Sequence, residues 1–185
     1  MSMDFNIWRG EKVLLRAVEP EDWQSYLQWN ADSESARLSY AIPFPPSAAA
    51  MRKHVEELSM QRGEDDVYRW QIVNHLGDLV GTINTHSVER RNGTFGYGLA
   101  VKREAQRKGY AEEAIRLVLR YYFLELRYQK CTVDVYDFNE PSIRLHEKLG
   151  FTLEGRLRRM IFTNGQYHDA LMYGITAEEF LKENK

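Results

Sequence analysis

Apolar residues along the chain recur with two periods. From Tyr110 to Leu126 the positions Ala111, Ala114, Ile115, Val118, Leu119 and Tyr122 are spaced three, one, three, one and three. That is the stripe of a helix lying on a core. A second helix is predicted from about Ser47, a plausible N-cap, to Arg62, with Met51, Val55 and Leu58 on one face. A shorter one opens at Pro20, with Glu21 and Asp22 in its first turn and Trp23, Tyr26, Leu27 and Asn30 at helical spacing. Elsewhere the period is two. Residues 12–18 read as a first strand, residues 67–74 alternate with Tyr68, Trp70 and Ile72 on one side, and residues 79–87 follow, with Gly81 marking a bulge. In Thr94–Val101 one face holds Phe95, Tyr97, Leu99 and Val101, while Gly96, Gly98 and Ala100 leave the other almost bare. A bare face lets a second backbone or a ligand come close.

Cys131, Val133 and Val135 alternate in another short strand. Asn139 is the expected N-cap of a helix that stops at Gly150. Residues 151–163 and 166–175 form two strands about Asn164-Gly165, and Thr176 with Glu179 looks like the capping box of a last short helix. The segment 38–46 contains three prolines and is expected to be irregular. The order of elements describes one mixed α/β (α+β) domain around a single, mostly antiparallel sheet flanked by helices, over residues 11–176, with 177–185 as a C-terminal helix and tail.

Composition narrows the choice of chemistry. The chain has 185 residues, 43% apolar and 28% charged, which suits one packed domain. A net charge of −2 argues against a nucleic-acid binder, and no apolar run is long enough to cross a membrane. One cysteine, Cys131, allows no internal disulfide and no cysteine-rich metal site, so a reducing, cytoplasmic setting and no metal are expected. Cys131 itself reads as a buried structural thiol, since it alternates with core valines.

The candidate chemistry centres on Gln106-Arg107-Lys108-Gly109-Tyr110-Ala111, at the start of the striped helix. The first N–H groups of a helix lack internal partners, the helix dipole adds positive character, and Arg107 and Lys108 add full charges. This is a preformed site for a phosphate or pyrophosphate. It is no P-loop, because Lys108 precedes Gly109 and Tyr110 follows it, leaving no hydroxyl for Mg²⁺. Gly96-x-Gly98 is no dinucleotide fingerprint either, since it lies inside a strand and lacks a third glycine.

These blocks resemble the GNAT superfamily of acyl-CoA-dependent N-acetyltransferases. Gln106 to Ala111 matches the family's pyrophosphate loop, and Asn139-x-x-Ser142 leading to Leu149-Gly150-Phe151 matches its next motif. Glu154-Gly155, Arg158, Gly165-x-Tyr167-x-Asp169 and Tyr173 look like the branch that contains the ribosomal-protein alanine acetyltransferases. The resemblance implies a sheet splayed between its fourth and fifth strands, with acetyl-CoA in the gap. It implies CoA contacts from Leu99, Ala100 and Val101 through the backbone, from Gln106, Arg107, Lys108, Gly109, Tyr110 and Ala111 at the loop, and from Asn139. Asn139 is then either a helix cap, a contact to the pantetheine arm, or both. Ser142 is placed near the CoA sulfur. His146 stands seven residues after the asparagine, where many members carry a tyrosine that protonates the departing thiolate. An imidazolium could do the same.

Direct attack of an amine on the thioester also needs a base. His86 is the first candidate, with Glu89 and Asp134 as alternatives. The acceptor pocket is expected from the least regular stretch and nearby strands, with Trp29, Tyr40, Phe44, Trp70 and Tyr97, and with Asp32 and Glu34 available to a cationic acceptor. The acceptor is an amine-bearing small molecule or a peptide N-terminus. Alternatives are an antibiotic- or polyamine-modifying enzyme, and a CoA-binding module without catalysis. The C-terminal hairpin offers an edge for a homodimer.

Overall fold

The computed structural model describes residues 6–39 and 42–183. Seven strands form one sheet: β1 (Val13–Arg16), β2 (Arg69–Asn74), β3 (Leu79–Glu89), β4 (Thr94–Val101), β5 (Lys130–Tyr136), β6 (Thr152–Thr163) and β7 (Gln166–Thr176). Their spatial order is β1-β2-β3-β4-β5-β7-β6, and every neighbouring pair is antiparallel except β4 and β5. The helices are α1 (Trp23–Ala31), α2 (Ser33–Ser39), α3 (Ala48–Ser59), α4 (Tyr110–Arg120), α5 (Glu140–Lys148) and α6 (Ala177–Glu183).

The parallel pair is the decisive feature. β4 and β5 are in register only at Thr94–Lys130 and Phe95–Cys131. Beyond that point β4 stays paired to β3 as far as Val101 and β5 stays paired to β7 as far as Tyr136. The two halves of the sheet therefore diverge into a V. Gly96 stands where they part: a Cβ there would lie 2.8 Å from Thr132 O and 2.9 Å from His86 Cε1. The missing side chain lets an imidazole and a neighbouring backbone close over the root of the V.

Phe95 and Tyr97 of β4 are buried with Ala114, Ile115, Val118 and Tyr122 in the main core, so the predicted stripe of α4 covers that face. A smaller core joins Val18, Tyr26, Met51 and Val55 around α1 and α3, and Gln71 of β2 donates to the Tyr26 hydroxyl at 3.0 Å. Ser47 caps α3 by accepting from Ala50 N, and Thr176 and Glu179 make the expected reciprocal box at α6. The β2–β3 register shifts opposite Gly81, where a bulge was expected. Cys131 is fully buried and its thiol is pushed up by burial.

Three features depart from the linear reading. Residues 33–39 form helix α2, although none of them is buried, so no apolar stripe announces it. α4 ends at Arg120 and continues as a π-helical turn, Tyr121–Glu125. Trp70 packs with Trp8 and Tyr68 at centroid distances of 5.3 and 5.5 Å instead of lining the gap between β4 and β5.

Candidate active site

The loop between β4 and α4 has the form expected of an anion cradle. Arg107 and Gly109 both take left-handed backbone conformations, at φ 62° and 84°. Gln106 anchors the turn by donating from Nε2 to Val101 O. Gly109 occupies the N-cap of α4 and no side chain caps that end, so the first-turn N–H groups stay open to a ligand. A carboxylate in this turn would compete with a phosphate, and both acidic residues there are engaged elsewhere. Glu112 pairs with Lys148 at 2.6 Å, which holds its carboxyl below the usual range. Glu113 turns towards β1 and accepts from the backbone N–H groups of Glu11, Lys12 and Val13 at 2.7–2.8 Å. That clamp delivers a residue the sequence gave no reason to choose. The Lys12 ammonium stands 2.6 Å from where a Cβ on Gly109 would be. Lys12 thus brings an ammonium to the helix start that Arg107 and Lys108 directly precede in sequence. The signal was unreadable because Lys12 and Glu113 are 101 residues apart.

The gap between β4 and β5 forms a cleft of about 570 Å³. Tyr97, Gly98 and Leu99 line one wall, Val133 to Tyr136 the other, with Asn139, Ser142 and His146 at the α5 end. His86 and Asp134 also line it. Asn139 is the N-cap of α5: its Oδ1 accepts from Ser142 N and its Nδ2 donates to Leu38 O at 3.1 Å. The cap thereby ties α5 to the end of α2.

His146 is only 5% exposed, and its rings of contact are Tyr97, Phe151 and Tyr173. Nδ1 lies 2.8 Å from Ser142 O, a carbonyl that can only accept, so Nδ1 carries the proton. Nε2 then accepts from the Tyr97 hydroxyl at 2.8 Å. Burial lowers the His146 pKa, against a smaller opposing effect of the Ser142 carbonyl. Burial also pushes the Tyr97 hydroxyl well above its ordinary value. His146 is thus held by hydrogen bonds at both ring nitrogens on the wall of the cleft.

A second recess of about 490 Å³ lies beside the end of β4, between Ala100–Glu104 and the α1–α2 segment, with Trp29, Ser35 and Pro43 among its lining residues. Asp32 is not available to a cation there. Arg103 grips it with two hydrogen bonds of 2.7 and 3.0 Å, and this together with Ser35 holds its carboxyl far below the usual range. Of the residues expected around the acceptor, Tyr97 lines the cleft and Trp29 the recess, whereas Trp70 lines neither and Phe44 is 91% exposed. Tyr40 lies outside the described residues. Among those described, no group of three or more His, Cys, Asp or Glu side chains could hold a metal ion, and no helix is long and apolar enough to cross a membrane.

A mixed sheet opened between β4 and β5 beside an uncapped helix start is the architecture of an acetyltransferase-like fold. Residues 12–152 match the family model described as the acetyltransferase (GNAT) domain, and the chain belongs to that family. It is 48% identical over 178 residues to the SPbeta prophage-derived uncharacterized N-acetyltransferase YokL of Bacillus subtilis, covering 96% of this chain and 97% of that protein. It is 28% identical to the spermidine N(1)-acetyltransferase of Escherichia coli, over 95% of this chain and 92% of that protein. Its fold superposes with a TM-score of 0.78 on spermidine N-acetyltransferase from Vibrio cholerae in complex with CoA and spermine, at 23% identity and covering 93% and 99% of the two chains. The protein is an N-acetyltransferase.

Proposed function

We propose that the protein transfers an acetyl group from acetyl-CoA to a primary amine, by direct attack within a ternary complex, in the cytoplasm. The observation that carries the reading is the V between β4 and β5 leading into the open N-terminus of α4. Its dimensions and chemistry suit CoA. The helix start, Lys12, Arg107 and Lys108 would receive the pyrophosphate. The edge of β4 that faces β5 near Leu99 to Val101 would pair with the amides of the pantetheine arm as an added strand does. Gly109 leaves the space that a Cβ would fill.

Acetyl-CoA supplies the activated carbonyl and a thiolate leaving group. The protein's own groups supply position, a proton acceptor and polarisation. Holding both reactants in register can supply about 7–11 kcal/mol of the barrier. A backbone N–H of β4 near Ala100, facing the carbonyl oxygen, would add about 3 kcal/mol. His86 is the proposed base. Its imidazole crosses the root of the V over Gly96, with Nδ1 3.1 Å from Ser87 Oγ. Asp134, on the same cleft, would draw the ammonium form of the acceptor in. His86 takes a proton from the bound ammonium, the neutral amine then forms the C–N bond with the thioester carbon, and the C–S bond breaks. The nitrogen's second proton passes through solvent to the thiolate; the Tyr97 hydroxyl is already directed at His146 Nε2, and burial makes it a weaker acid than an ordinary phenol.

Release of free thiol from acetyl-CoA, followed over a panel of amines, tests this reading. His86→Ala should lower turnover by about 100-fold or more while CoA binding by calorimetry is unchanged. An unaltered rate would remove His86 from the mechanism. Saturable CoA binding with no turnover of any amine would identify a binding module instead.

A further inference from the structure

The wall that an acceptor would meet is mostly apolar. Leu38 comes from the end of α2, Leu157, Met160 and Ile161 from β6, and Met172 from β7. Asp134 is the one carboxylate among the described lining residues of this cleft. The other carboxylates beside it are engaged. Asp137 and Asp169 share Arg156, at 3.3 and 2.5 Å, and Asp32 is gripped by Arg103. The rim is cationic: Arg156, Arg158 and Arg159 line the shallow surface that shares Leu157 and Met160 with the cleft. Arg37 reaches across from α2 to Thr163 Oγ1 at 2.9 Å.

One carboxylate can balance one ammonium. A second ammonium three or four methylenes away would lie against Leu157, Met160 or Met172, where an unpaired charge is costly, or would approach the arginine rim, where it is repelled. An apolar body in the same place would bury its surface favourably. From this we infer that the acceptor is a primary amine with a single positive charge, carried on an apolar or aromatic body whose far end is neutral or anionic, and that linear polyamines are poor acceptors. The inference rests on the amine-acetylation reading of the cleft, and it separates this chain from the polyamine specificity named for two of its relatives.

The test compares 2-phenylethylamine, L-phenylalanine and spermidine at a fixed acetyl-CoA concentration. The better of the two aromatic amines should exceed spermidine in kcat/KM by about 100-fold, the discrimination expected when a second ammonium has no partner. Met160 is 61% exposed and tolerates a polar replacement. Met160→Glu places a carboxylate at the rim and should narrow the ratio by about tenfold. Spermidine as the preferred acceptor of the wild type, or a ratio indifferent to Met160→Glu, would overturn the inference. Calorimetric titration of the same three amines into the CoA-loaded protein keeps the two readings apart. Selective binding of the aromatic amines without turnover sinks the catalytic reading and upholds the acceptor class. Tightest binding of spermidine, or no binding of any of the three, sinks the acceptor class itself.

Discussion

Replacing Gly109 by alanine should weaken CoA binding through two separable effects. Gly109 has φ 84° and ψ 5°, a conformation in which a Cβ costs about 1–2 kcal/mol. The new Cβ would also stand 2.6 Å from Lys12 Nζ, closer than real contacts allow. The backbone of Lys12 cannot retreat, because its N–H is held by Glu113 Oε2 at 2.7 Å. The side chain must swing away instead, and the cradle loses one of its three cations. A solvent-exposed cation facing a phosphate contributes about 3- to 10-fold in affinity. Gly109→Ala should therefore lower stability by about 1–2 kcal/mol in urea denaturation and weaken CoA by about tenfold. Lys12→Met should leave stability within about 0.5 kcal/mol and weaken CoA by about 3- to 10-fold. The double variant should bind little worse than Gly109→Ala alone, since the alanine has already displaced the ammonium. Calorimetry with CoA on the four proteins reads all of this. Affinity losses that multiply in the double variant would refute displacement as the cause, and wild-type affinity in Lys12→Met would remove the lysine from the phosphate site.

Two further outcomes follow from buried contacts. His146 should make stability pH-dependent: the unfolded imidazole takes a proton near pH 6.5, while burial lowers the folded value, so its stabilising effect is full above pH 6.5 and is lost as the pH falls towards the folded value. His146→Phe should cost about 1–3 kcal/mol at pH 7.5, because the Tyr97 hydroxyl loses its acceptor, and should flatten the decline between pH 7.5 and 5.5; an unchanged pH slope in chemical denaturation would reject the assignment. Gly96→Ala puts a Cβ 2.8 Å from Thr132 O, a backbone atom that cannot easily yield, and should cost about 1–3 kcal/mol and lower acetyl transfer more than it lowers CoA affinity. Wild-type melting and turnover in that variant would show that the root of the V is not tightly packed.

Much of the architecture could be read along the chain because it depends on local spacing. The α4 stripe, the alternation of β4, the Ser47 and Asn139 caps and the Thr176–Glu179 box are set by residues within a turn or two of each other, and each is found in place. The left-handed turn at Arg107 and Gly109 that opens α4 belongs to the same class. What stayed hidden needed partners distant in sequence. α2 has no buried residue and so no periodicity to betray it. Alternation placed Trp70 with Tyr68 and Ile72 but could not say which side of the sheet they would cover. The apolar stripe runs on through Tyr122, yet regular helix stops at Arg120, where the Tyr122 hydroxyl is drawn to Thr85 and to the Asp66 carbonyl. His146 lies buried against Tyr97, 49 residues away, a contact that no local spacing announces. The turn that opens α4 was therefore legible in a six-residue word, because its backbone conformation is set locally. The buried His146–Tyr97 pair, the Lys12 ammonium beside Gly109 and the apolar lining of the cleft arose only when the folded sheet brought separate strands and helices together.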